Sequence, residues 1–197
     1  MKIAIFGKLR AGKSAVCQVL TDKLEKNGGA EVIEFSGAVK EVVNILHPEL
    51  CGVKHRKIYV DTAQHLRKLD EDIWVNIVRY KINNSKKKHI IVSGVRQENE
   101  YEMLKKEGFI FVKVDCDEAT RVERCKKCGD KFDEKQLLNH TEMIMDSFKF
   151  DYSILNNKSF KELEISANNL IGDIFSKEYS ESIRSNLFLL NGGDTIG

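Results

Sequence analysis

Long apolar runs are missing from this chain. None approaches the roughly 18 residues of a membrane-spanning helix. No charged-then-apolar leader stands before the first strand-like segment, so the expected location is the cytoplasm, with no membrane partner. A dominant sign of charge is missing as well, since 32 Lys and Arg against 30 Asp and Glu leave a net charge of +2. That argues against the overall basic field by which proteins gather on nucleic acid, and the tract Lys86-Lys87-Lys88 is read as the solvated entrance to a strand. The five histidines form no His-x-x-x-His pair and no cluster, and no Ser-His-Asp arrangement is recognisable. Cysteine is scarce and odd in number, five in all. Without an export signal, that count implies reduced thiols rather than a disulfide framework. Internal repeats and low-complexity segments are also lacking.

What is present is the composition of a globular domain: 42% hydrophobic and 31% charged residues over 197 positions. A chain of this length can bury one sizeable core, and a single domain with a small insertion is expected. Apolar runs at 3–6, 32–35, 89–92, 109–114 and 152–155 read as short strands, continuous enough for a sheet covered on both faces. Helical patterns lie between them at about 13–27, 39–46, 62–83, 98–107, 117–126, 134–148 and 161–175. Strands alternating with helices predict βαβ units and a parallel sheet, with the ligand outside the carboxyl ends of the strands. Residues 36–83 exceed the crossover such a unit needs, which leaves room for a second ligand site. Residues 117–148 form a helical excursion rich in Arg and Lys, of the kind that closes as a lid. The tail 177–197 is expected to be a loosely docked helix running into a frayed end.

The strongest single feature is Gly7-Lys8-Leu9-Arg10-Ala11-Gly12-Lys13-Ser14. It is a G-x-x-x-x-G-K-[ST] phosphate loop set directly between the first strand and the first helical pattern. The glycines let backbone N–H groups close around phosphate oxygens, Lys13 reaches the outer phosphates, and the Ser14 hydroxyl can ligate Mg²⁺. A helix starting near Lys13 aims its positive dipole end at the anion.

Other residues acquire meaning beside this loop. Arg96, in Ser93-Gly94-Val95-Arg96-Gln97-Glu98-Asn99-Glu100, stands at a strand end where a guanidinium can grip an acceptor phosphate or the transferring group. Phe35-Ser36-Gly37-Ala38-Val39-Lys40 offers a small-residue turn, with Ser36 and Lys40 as acceptor-side candidates. In the insertion, Gln64 and Arg67 combine an amide reader with a phosphate clamp, whereas Trp74 is read as a core anchor. Arg121 and Arg124 lie three apart on one helical face and could close over donor phosphates. Cys125 and Cys128 make half of a zinc site, with only His140 and Asp130 or Asp133 near to complete it. An ordinary pair of reduced thiols is the preferred reading, so zinc is not expected as a cofactor.

With these residues in hand, the chain resembles the P-loop nucleoside monophosphate kinase superfamily, and within it the phage-type deoxynucleoside monophosphate kinases. Dephospho-CoA kinases are near relatives in pattern. The resemblance runs over about residues 1–175 and rests on the loop at 7–14, the turn at 35–40, Asp72-Ile73-Trp74-Val75, Val95-Arg96 with Asn99-Glu100, and Asp151-Tyr152-Ser153-Ile154-Leu155-Asn156. It implies a three-layer α/β/α P-loop NTPase fold with a five-stranded parallel sheet. Residues 1–176 would form the kinase domain, with the acceptor-binding insertion at about 36–83 and the lid at about 117–148. The implied reaction moves the γ-phosphoryl group of ATP, with Mg²⁺, to a deoxynucleoside monophosphate, giving the diphosphate and ADP. Gly7, Lys8, Leu9, Arg10, Ala11, Gly12, Lys13 and Ser14 would bind ATP, with Asn156, or its neighbour Asn157, near the adenine. Ser36, Lys40, Gln64, Arg67 and Arg96 would bind the acceptor, and Lys13, Arg96, Arg121 and Arg124 would stabilise transferring charge.

The partners so implied are ATP and a nucleoside monophosphate, without nucleic acid; a homodimer is left open, as is a phage-encoded origin with action in a bacterial cytoplasm. One departure stands out, because relatives commonly carry Asp at or beside the end of the third strand, where this chain has Ser93-Gly94. A carboxylate there helps hold the metal or its waters, so Asp115, Glu98 or another acidic residue must substitute if the chemistry is kept. The alternatives are a kinase of another small acceptor, dephospho-CoA-like, or a nucleotide-binding regulator without catalysis.

Overall fold

The computed structural model describes residues 1–50, 56–128 and 140–190. Its described strands are β1 (Lys2–Phe6), β2 (Ala30–Glu34), β3 (His89–Ser93), β4 (Ile110–Asp115) and β5 (Tyr152–Leu155). They form one all-parallel sheet in the order β2-β3-β1-β4-β5. β1 is therefore central, and its neighbours β3 and β4 lie on opposite sides. The chain reverses its winding direction there, opening a crevice above the carboxyl end of β1, where a ligand is expected in such sheets.

Strand periodicity splits the core into two layers. Ile3 and Ile5 of β1 pack with Val16, Leu20, Leu24, Leu170 and Ile174, whereas Ala4 and Phe6 pack with Phe35, Trp74, Val78, Leu104 and Phe148. The first layer lies under α1 (Lys13–Leu24) and α8 (Phe160–Leu190), the second under α2 (Phe35–Leu46), α4 (Ile73–Asn84) and α5 (Glu98–Lys106). Each fully buried large side chain contributes about 1.5–3 kcal/mol of transfer free energy. Covering both faces explains why the strands read as apolar runs rather than alternations. Trp74 is 1% exposed, and its indole N–H donates to the Ala63 carbonyl at 3.2 Å, tying α4 to α3 (Arg56–Leu69).

Element boundaries differ from the pattern in four places, each for a local reason. β2 ends at Glu34, and Phe35 begins α2 rather than closing the strand; a buried Phe satisfies either pattern. The long helix predicted over 62–83 is two helices. Asp70 Oδ1 accepts the Asp72 N–H at 2.9 Å, a local bond that competes with helix continuation. Asn99 Nδ2 then fastens this corner to α5 through the Glu71 carbonyl and Asp72 Oδ1. Of the helix expected over 134–148, residues before 140 lie outside the described residues, and α7 (His140–Asp146) stops where the Ser147 hydroxyl donates to the Ile144 carbonyl at 2.7 Å. Finally, α8 runs unbroken to Leu190, so the tail up to that point continues the last helix and is not a separate element. Among the described residues, no helix is long and apolar enough to cross a membrane.

Candidate active site

The phosphate loop leaves the centre of the sheet and turns into α1. Gly7 and Gly12 adopt positive φ, 149° and 101°, and a Cβ on either would strike its surroundings. At Gly7 it would stand 2.2 Å from the Val114 carbonyl oxygen, and at Gly12 2.0 Å from Asn156 Nδ2. Arg10 is the one non-glycine residue at positive φ among those described, at 60°. The loop closes through the Ala11 N–H donating to the Lys8 carbonyl at 3.2 Å. Lys13 folds back over it, Nζ donating to the carbonyls of Gly7 at 2.7 Å and Lys8 at 2.9 Å. The hydroxyl-bearing Ser14 is exposed on the first turn of α1.

Three elements hold the loop from outside. Asn156, after β5 and 5% exposed, donates from Nδ2 to the Ala11 carbonyl at 2.8 Å. On α6 (Glu118–Lys127), Arg124 Nη1 donates to the Arg10 carbonyl at 3.3 Å and to the Ala11 carbonyl at 3.5 Å, and Nη2 to the Asn156 carbonyl at 3.0 Å. Arg121, one turn earlier and 5% exposed, donates from Nη1 to the Leu9 carbonyl at 3.5 Å. Lys8 pairs with Asp146 at the end of α7, 3.0 Å apart. Two guanidiniums, the ammoniums of Lys13 and Lys8 and the amino end of α1 thus surround a backbone cradle, an arrangement suited to a polyanion.

A second cationic group gathers beyond β3. Glu100 of α5 is 2% exposed; its Oε2 accepts the Arg96 N–H at 2.8 Å and the Gln97 N–H at 3.2 Å, and its Oε1 pairs with Arg67 Nη2 of α3 at 3.4 Å. Burial pushes the Glu100 carboxyl above its ordinary range, against the pull of the Arg96 amide and the Arg67 charge. Arg67 and Arg96, 29 positions apart in the chain, thus meet one carboxylate, Arg67 through its guanidinium and Arg96 through its backbone N–H, and the charges of both act on it. The other acceptor-side candidates are less gathered. Ser36 is exposed and donates to Glu34 Oε2 at 3.4 Å, while Lys40 and Gln64 are exposed on α2 and α3. Cys125 is buried and Cys128 exposed, whereas of the further partners considered for zinc, Asp130 and Asp133 lie outside the described residues, as does the side chain of His140.

The model of the AAA domain family matches residues 3–146. The chain belongs to the AAA domain family. No curated protein matches the sequence. Among solved structures, the AAA domain is similar to shikimate kinase from Acinetobacter baumannii in complex with shikimate, at 17% identity and TM-score 0.60, covering 89% of this chain and 93% of that one. It is also similar to TT1252 from Thermus thermophilus, at 15% identity and TM-score 0.54, over 88% and 97% of the two chains. Shikimate kinase from Aquifex aeolicus matches at 20% identity and TM-score 0.51, over 89% and 99%. These likenesses show a P-loop kinase-like fold.

Two residues at the edge of the AAA-domain cradle escape sequence reading. Glu34 falls inside the expected strand 32–35 and Cys17 inside the expected helix 13–27, and neither is singled out by its pattern. The Cys17 thiol is pushed up to about 11, by burial first, with the Glu34 charge adding to the rise. A hydrogen bond with Ser93 and the charge of Lys13 act in the opposite sense. That set of neighbours brings β2, β3 and the phosphate loop to one spot.

Proposed function

We propose that this AAA-domain protein is an ATP- and Mg²⁺-dependent phosphotransferase whose acceptor is a deoxynucleoside monophosphate, yielding the diphosphate and ADP. The observation that carries the reading is the presence of two separate cationic groups at the carboxyl edge of one sheet. One is the loop cradle with Lys13, and the other is the Arg67–Glu100–Arg96 group at the side where an acceptor would lie. The resemblance of the motifs supplies the acceptor class.

In this reading the loop amides and Lys13 bind the donor phosphates, and an incoming phosphate displaces the Gly7 and Lys8 carbonyls from the Lys13 ammonium. Arg121 and Arg124 add positive charge at the outer rim, and Asn156 fixes the loop on the adenine side. Arg96 and Arg67 hold the acceptor phosphate, with Ser36, Lys40 and Gln64 along its approach. Catalysis is then positioning and charge stabilisation, without a covalent enzyme intermediate. The exposed Ser14 hydroxyl suits a hard divalent cation that favours oxygen ligands and retains water. When bound, Mg²⁺ would neutralise phosphate charge.

A second reading is phosphoryl transfer to another small acceptor. It is favoured by the fold shared with shikimate kinases and leaves the donor half of the site unchanged. Coupled ADP release with Mg-ATP and a panel of ribo- and deoxynucleoside monophosphates, dephospho-CoA and shikimate separates these. Release with deoxynucleotides alone supports the first reading, and release with another acceptor supports the second. ATP binding with no release across the panel leaves a nucleotide-binding regulator. Lys13→Ala should abolish acceptor-dependent release, and near-normal turnover in that variant would defeat the assignment.

A further inference from the structure

A cation accompanying nucleotide phosphates at Ser14 needs a further oxygen group to hold it or its water shell, and β3 ends in Ser93 and Gly94, neither of them acidic. The carboxylates at the same edge of the sheet are few. Asp115 ends β4, on the other side of β1 from β3, and pairs with Lys113 at 3.2 Å. Glu98 is exposed at the start of α5. Glu34 ends β2 and lies directly opposite Ser93 in the β2–β3 register, and Ser93 in turn lies opposite Ile5 of β1.

The direction of this row follows from strand periodicity. Ile5, Ile91 and Ala30 face the core layer beneath α1, whereas Ile33 faces the other layer. Residues two or four apart along a strand share a face, so Ser93 and Glu34 also project toward α1. Cys17 confirms the alignment from the helix side, because it hydrogen-bonds Ser93 and senses the charges of Glu34 and Lys13. Cys17 is three residues after Ser14 and so on the same face of α1. Glu34 is half-buried, and its Oε2 accepts the Ser36 hydroxyl at 3.4 Å.

Resting on the nucleotide-binding reading, we infer that Glu34 at the end of β2 takes over the task of the acidic residue absent from β3 and, with Ser14, holds the divalent cation of the bound nucleotide through its water shell. The metal-holding carboxylate has moved one strand outward. Ser93 and Gly94 leave the space in front of it free of a competing charge.

The test is Mn²⁺ titration of the ADP-saturated protein, followed by the electron paramagnetic resonance signal of free Mn²⁺, beside ADP titration with the metal chelated. Glu34→Gln should weaken Mn²⁺ binding by about 10-fold or more, the loss typical when a group supporting a metal is removed. Metal-free ADP affinity should stay within about two-fold, under 0.5 kcal/mol, which also shows that the variant is folded. Glu34→Asp should fall between, and Asp115→Asn and Glu98→Gln should match the wild type. Unchanged Mn²⁺ affinity in Glu34→Gln, or loss in Asp115→Asn or Glu98→Gln instead, overturns the assignment to Glu34 while leaving nucleotide binding intact. A wild-type protein that binds no ADP removes the nucleotide reading, and this inference with it.

Discussion

Arg124 and Asn156 converge on one carbonyl, that of Ala11, and are bonded to each other through the Asn156 carbonyl at 3.0 Å. Helix α6, the β5–α8 junction and the phosphate loop are thereby one polar assembly. Removing either side chain leaves buried or half-buried backbone oxygens short of donors, so Arg124→Ala and Asn156→Ala should each lower stability by about 1–3 kcal/mol. Their effects should be non-additive by at least about 0.5 kcal/mol in a double-mutant cycle. Arg124→Lys should not restore the loss, because an ammonium lacks the fork that reaches three carbonyls. Urea denaturation of the wild type, the two single alanine variants, the double variant and Arg124→Lys measures all of this.

Gly12→Ala tests the same assembly from the loop side. Its φ of 101° is strained for any residue with a Cβ, and the added atom would stand 2.0 Å from Asn156 Nδ2. The loop must shift or release Asn156, so a loss of about 2 kcal/mol or more in stability is expected. ATP affinity should fall with it, as read by calorimetric titration.

The sheet and its parallel order class were legible because apolar runs separated by amphipathic segments admit few other folds. The loop was legible because its glycines and Lys13 must be adjacent in the chain to form a cradle. What escaped was whatever depends on partners distant in sequence. Glu100 joins Arg67 to Arg96 only once α3 packs beside α5, and no spacing rule connects residues 67 and 100. Glu34 acquires meaning only from its register opposite Ser93. The break at 70–72 was missed because apolar periodicity continued across it while Asp70 supplied a competing local bond. The single helix α8 was missed because its residues from Lys177 to Arg184 are exposed and carry no core-facing stripe.

Glu100 should make stability depend on pH in a direction opposite to most paired carboxylates. Burial raises its folded-state value above the ordinary 4.5. Between those two values the folded protein holds a proton that the unfolded chain has lost, so this residue's contribution to stability falls as pH rises through the window. Glu100→Gln removes that titration. The stability of the wild type relative to the variant should therefore decline from about pH 4 upward, levelling once the folded-state carboxyl has ionised. Guanidinium denaturation at half-unit steps provides the curve, and a difference that rises with pH would contradict the burial-dominated environment.

Cys17 reports on the charges at the cradle without any ligand. With its thiol near 11 and 5% exposed, almost none of it is thiolate at pH 8. Alkylation in the native state should be slower than at exposed Cys128 by about two orders of magnitude. Because the Glu34 charge pushes the thiol up and the Lys13 charge pulls it down, neutralising each should shift it in opposite directions. Glu34→Gln should bring the onset of Cys17 alkylation to lower pH, and Lys13→Met should delay it. Peptide mass spectrometry after timed iodoacetamide exposure from about pH 7 to 10 resolves the two cysteines, a range that spans the ordinary thiol value. An unchanged onset in both variants would mean that burial alone governs the thiol and that neither charge faces it.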